Sequence, residues 1–154
     1  MDKKVQPVKV FNWVIEIDGI DSFECQSVTI PSPEIGKIEH GAGGVIVKTA
    51  GMVNVGDLTF SKLKPINVGD AGAWNWMIQA QDSSTGNGNF PQFYEKDITI
   101  RSLAPDNQTT LYAWACEGVF ITKIEYNELN KTSEENLLET VTCSVDSVSL
   151  LTTP

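Results

Sequence analysis

Asp70-Ala-Gly-Ala-Trp-Asn-Trp-Met-Ile-Gln-Ala-Gln-Asp-Ser83 decides the fold class, because it has helical spacing in a chain that otherwise alternates apolar and polar residues. Trp74, Met77, Ile78 and Gln81 recur at helical intervals, which predicts one apolar side, with Gln79 and Asp82 on the wetter side. Asp70 is the expected N-cap, its carboxylate accepting from the free amides of the first turn. Ser83-Ser-Thr-Gly-Asn-Gly-Asn89 stops the helix and begins a loop.

Outward from this helix the chain reads as strand. In Val10–Asp18, Phe11, Trp13, Ile15 and Ile17 share one face, the period-two mark of a half-buried strand. Gly19-Ile-Asp-Ser22 then turns the chain, and Phe23–Ile30 is expected to return beside the first strand as a hairpin until Pro31 and Pro33 stop it. From Glu34 to Gly56 six glycines surround β-branched bursts such as Val45-Ile-Val47, which predicts a projecting arm of strand content over about 35–56. Asp57–Leu63 and Glu95–Leu103 alternate cleanly. Leu111–Leu129 is long enough for two strands or one bent strand, with Gly118 as the bend and Tyr112, Trp114, Cys116, Phe120, Ile124 and Tyr126 as an even-numbered apolar stripe. Leu137–Leu151 closes the chain with a phase change before Val148, which points to a bulge or to burial on both faces. The expected fold is mainly β: a sandwich or barrel with one flanking helix at about Asp70–Ser83 and a long arm, in a single domain over residues 1–154.

Composition narrows the function. Eleven basic against 20 acidic residues give a formal charge of −9, a surface that repels DNA and anionic lipid. No apolar run approaches the roughly 20 residues that cross a bilayer, and no apolar block follows Met1-Asp-Lys-Lys, so neither a membrane span nor a secretory signal is expected. Cys25, Cys116 and Cys143 are odd in number and each falls in a strand, which fits buried thiols made in a reducing compartment. His40 is the lone histidine, without ligands at metal spacing. Gly41-Ala-Gly-Gly-Val-Ile-Val47 lacks the third glycine of a dinucleotide fingerprint, and Lys48-Thr49 lacks the glycine that precedes the lysine of a P-loop. No Gly-x-Ser-x-Gly occurs, and Glu134-Glu135 sit in a polar turn. Trp13, Trp74, Trp76 and Trp114 suit a core or a subunit contact. Neither catalysis nor a cofactor is expected.

Taken in order, several segments resemble the tail-tube proteins of contractile-tailed bacteriophages, which are related in fold to tube proteins of type VI secretion and other contractile injection systems. They are Phe11-Asn-Trp-Val-Ile-Glu-Ile-Asp-Gly19, Val28-Thr-Ile-Pro-Ser-Pro33, the glycine-bearing arm, and Val55-Gly-Asp-Leu-Thr-Phe-Ser-Lys62. With them go Ala73-Trp-Asn-Trp-Met77, Trp114-Ala-Cys-Glu-Gly-Val-Phe-Ile-Thr-Lys-Ile124 and Leu138-Glu-Thr-Val-Thr-Cys-Ser-Val-Asp146. The resemblance implies hexameric rings that stack into a tube, with sheath, tape-measure and baseplate proteins as partners and DNA passing through the lumen without specific binding. It implies a place in the virion tail, assembled in the bacterial host cytoplasm. Gly41, Gly43, Gly44, Val45, Ile46 and Val47 then become inter-ring arm residues, Met1–Lys9 a second contact, and Glu16, Asp18, Glu24 and Asp97 lumen acids. Two readings in the same fold compete with it: a secretion or injection-system tube protein, and a baseplate protein that starts the tube. A monomeric β-barrel binding a small ligand through its tryptophans, and a hydrolase using paired acids, come after these.

Overall fold

The computed structural model describes residues 7–17, 25–64, 71–81, 85–86 and 88–152. Its strands are β1 (Trp13–Ile17), β2 (Cys25–Thr29), β3 (Pro33–Ala42), β4 (Val45–Val55), β5 (Leu58–Leu63), β6 (Lys96–Leu103), β7 (Thr110–Tyr126), β8 (Leu138–Ser144) and β9 (Ser147–Thr152). Two helices, α1 (Gly72–Ala80) and α2 (Pro91–Tyr94), lie between β5 and β6.

The main strands follow the path β1-β6-β7-β8-β5-β2, with β9 on the other side of β7, and this path does not close into a barrel among the described residues. It folds as two layers that share β7. The first half of β7 pairs β6 and β9, and its second half pairs β8. Each layer turns one alternation phase inward: Ile15, Ile17, Ile98, Ile100 and Cys116 from one sheet meet Leu58, Phe60, Ile121, Val141 and Cys143 from the other. Apolar burial between the layers is the main stabilising contribution, and the strict alternation of β5 (buried at Leu58, Phe60 and Lys62) records it.

The expected hairpin between the first two strands does not form. β1 pairs β6 and β2 pairs β5, so they stand at opposite ends of the path, one in each layer. Burying both inward faces against one another outweighs the short connection that favours local pairing. The expected turn (residues 19–22), with Asp18, Phe23 and Glu24, lies outside the described residues.

The even-numbered stripe of β7 also fails, because two bulges reset its phase. Register shifts between Lys96 and Ile98 of β6 leave Glu117-Gly118 as the extra length, and a second shift passes Thr122. Buried positions therefore run Ala113, Cys116, Val119 and Ile121, while Tyr112 and Tyr126 are exposed. Gly118 takes φ +65°, and a Cβ there would lie 2.2 Å from Asp146 Oδ2. The Asp146 amide meanwhile donates to Glu117 O at 3.0 Å. Gly118→Ala should cost about 1–3 kcal/mol from the left-handed backbone alone, and displacing Asp146 adds to it. Urea unfolding of the variant measures this as a lower midpoint at unchanged slope. The phase change before Val148 has a related origin: after β8 the chain leaves one sheet and β9 joins the other.

α1 begins at Gly72 with Ala71 as its N-cap and no side-chain capping bond; the expected cap, Asp70, lies outside the described residues. The buried face also differs from expectation. Ala73 and Trp76 are buried and Met77 packs on the core, whereas Trp74 and Ile78 are exposed. Apolar residues go most of the way round this helix, and the face that wins gives its indole a partner: Trp76 Nε1 donates to Tyr94 O of α2 at 2.6 Å. That second helix, opened by Pro91, was not expected.

Candidate assembly surfaces

β3 and β4 form a sheet of their own, paired among the described residues only with each other. Gly43 and Gly44 make the two-residue turn with φ of 60° and 83°, the left-handed pair that matches strand twist in a tight hairpin. A Cβ on Gly51 would lie 3.0 Å from Gly36 O, a tight approach where the register shifts between Ile35 and Lys37. That shift has a consequence for the arm's surfaces. Pro33, Ile35, Val53 and Val55 lie on one face near the base, and Ile38, Ala42, Val45 and Val47 lie on the opposite face toward the tip. All of β3 is exposed, and the larger apolar side chains of β4 include Val45 (64% exposed), Ile46 (65%) and Met52 (88%). A lone two-stranded hairpin is marginal in water, and apolar residues spread along both its faces mark it as a contact surface.

The six arm residues named from sequence thus come together at the hairpin end: Gly43 and Gly44 in the turn, Gly41 at the end of β3, and Val45, Ile46 and Val47 opening β4. Of the four acids, Glu16 and Asp97 lie among the described residues. Glu16 and Asp97 are exposed on the outward phase of β1 and β6, and Glu16 is ion-paired with Arg101. Asp18 and Glu24 lie outside the described residues, as do residues 1–6 of the second expected contact.

A second apolar surface lies where the two ends of the strand path face each other. Trp13 of β1, Val28 of β2, Ile30, Ile100 of β6 and Trp114 of β7 wall a groove of about 270 Å³, joined by Val8, Lys9 and Val10. Among the described residues β1 and β2 each pair with one strand, so an outer strand of each layer borders the groove. Sequence reading missed this groove, because it depends on β1 and β2 parting into different sheets.

Sequence reading also missed a buried polar row that holds α1 to the body. Lys62 and Glu139 are cross-strand partners, 2% and 1% exposed. Glu139 Oε2 accepts from Tyr126 OH at 2.6 Å and from Lys64 Nζ at 3.0 Å. Trp74 of α1 stacks on Tyr126 at 6.4 Å between centroids and donates its indole N–H to the tyrosine oxygen. The signal was present: Lys62 and Glu139 continue the inward phases Leu58-Phe60 and Val141-Cys143 with opposite charges.

The cysteines are not bridged, and two are inert by environment. Burial pushes the Cys116 thiol up to about 11 and, with Asp57 adding to it, the Cys143 thiol up to about 12. Among the described residues no group of histidine, cysteine, aspartate and glutamate could hold a metal ion.

A family model described as T4-like virus tail tube protein gp19 matches residues 9–149. No curated protein sequence matches the chain. Among solved structures, the anti-feeding prophage cap (the AFP tube terminating cap) is 21% identical with a TM-score of 0.81, over 99% of this chain and 97% of that one. The PVC sheath-tube complex of an extracellular contractile injection system, in its extended state, contains a chain 20% identical with a TM-score of 0.77, over 96% and 93%. Hcp1 from Flavobacterium johnsoniae is 16% identical with a TM-score of 0.56, over 90% and 93%. At these identities the solved structures establish a shared fold.

Proposed function

Because the chain belongs to the T4-like virus tail tube protein gp19 family, we propose that it is the structural subunit of a tail tube, a single domain over residues 1–154 that forms hexameric rings stacked around a channel. One observation carries this reading beyond family membership: a hairpin arm that, among the described residues, pairs only with itself and leaves Ile38, Val45, Ile46, Val47 and Met52 exposed. Such a surface marks a place where another molecule docks. The arm residues Gly41, Gly43, Gly44, Val45, Ile46 and Val47 then make inter-ring contacts. The tube sits inside a sheath in the virion tail, meets tape-measure and baseplate proteins, and delivers the genome. Assembly takes place in the bacterial host cytoplasm.

Charge supports passage without adhesion. Six copies at −9 each carry a formal −54 per ring, and a channel lined in part by Glu16, Asp18, Glu24 and Asp97 repels phosphate instead of condensing on it. The subunit performs no catalysis and needs no cofactor in this role. A tube of the same construction in a secretion or injection system would carry protein cargo.

Sedimentation over a wide concentration range tests the stoichiometry. The expected species above the 16.9 kDa chain is a ring of six times that mass, followed by larger multiples. Dimers or tetramers as the end point would contradict hexameric rings.

A further inference from the structure

We propose that the groove walled by Trp13, Val28, Ile30 and Trp114 receives the tip of the hairpin arm of a second copy, through the face that carries Ile38, Val45 and Val47. This rests on the reading of the chain as a self-assembling tube subunit and names the acceptor for its arm.

Four observations bear on the occupant. At about 270 Å³ the groove falls below the roughly 300–1,000 Å³ of small-molecule sites, which suits a few aliphatic side chains. It is bordered by β1 and β2, each paired on one side only among the described residues, so an incoming extended strand has both an apolar floor and backbone groups to meet. The arm tip supplies such a strand, with Val45 (64% exposed) and Ile38 (55%) on one face. Finally, the donor must be another molecule. β3 starts at Pro33, three residues after Ile30 in the groove wall, and runs ten residues outward, which at strand rise puts the tip roughly 30 Å from its own groove. Patch and groove on one chain, unable to meet within it, make a head-to-tail contact, and such contacts generate rings or filaments.

The test uses the full chain with a benzophenone-bearing residue at Val47 or, separately, at Val28, assembled as an equal mixture of isotopically heavy and light copies. After irradiation, mass spectrometry should find heavy–light crosslinks from the Val47 probe to Trp13, Ile30 or Trp114, and from the Val28 probe to residues 38–47. Val47→Asp in the unprobed copies should abolish the crosslink from Val28. Crosslinks from Val47 to another region of a second copy would overturn this acceptor while leaving assembly intact. Crosslinks from Val28 to residues 1–6 of the same copy would show that the chain fills its own groove, and would also overturn it. No heavy–light product together with a monomeric mass would overturn both this contact and the tube reading.

Discussion

With Val45→Asp and Val47→Asp combined, the protein should fold as before and fail to assemble. Both side chains are exposed on a hairpin that pairs only with itself, so their loss removes no core contact, and exposed substitutions of this kind move stability by about 0.5 kcal/mol or less. In the proposed assembly the same two side chains become covered. Burying a fully exposed valine is worth about 1.5–3 kcal/mol; Val45 and Val47 start 64% and 38% exposed, together about one such side chain, so the pair contributes about 1.5–3 kcal/mol per arm. That is about one to two decades in affinity at about 1.4 kcal/mol per decade, before the cost of burying two carboxylates. The expected result is a circular-dichroism melt equal to that of dilute, unassembled wild-type protein, beside a monomeric sedimentation profile at concentrations where the wild type assembles. Deleting residues 36–51 should act in the same direction. A variant that assembled at the wild-type concentration would remove the arm from the account.

Glu139→Ala should have the largest effect on folding itself. The carboxylate is 1% exposed and accepts from Tyr126 OH and Lys64 Nζ, and Lys62, 2% exposed, is its cross-strand partner. Truncation breaks the largely buried Lys64–Glu139 pair, a loss of about 3–5 kcal/mol against a total stability of about 5–15 kcal/mol. It also frees the tyrosine on which Trp74 stacks, so the α1 contact should loosen as the midpoint falls. Chemical denaturation followed by tryptophan emission reads both. Glu139→Gln keeps an acceptor for Tyr126 and should cost less; equal losses for the two variants would mean that the charge is not what matters.

The sequence made elements legible where one face is buried against one partner. β1, β5 and β6 announce themselves by alternation because every second residue meets the opposite sheet. The arm was legible for the opposite reason, since glycines at a tight turn and a close backbone approach stand beside β-branched residues. Pairing was not legible. The first two strands are neighbours in sequence, yet the sandwich separates them, and only long-range burial decides that. Nor was the inward side of α1: Trp74 and Trp76 differ by two positions, and what selects Trp76 is a carbonyl on a helix the periodicity did not reveal. In β7 the bend at Gly118 was legible, but its effect on phase, with a second bulge past Thr122, was not, and together they broke a stripe that looked continuous.

Negative-stain microscopy of the purified full chain, concentrated in the presence of a tube-initiating complex, tests the central claim most directly. Hollow tubes built from six-fold rings are the predicted image, with the arm variant giving none. Isolated monomers at every concentration, from protein shown by its melt to be folded, would contradict it.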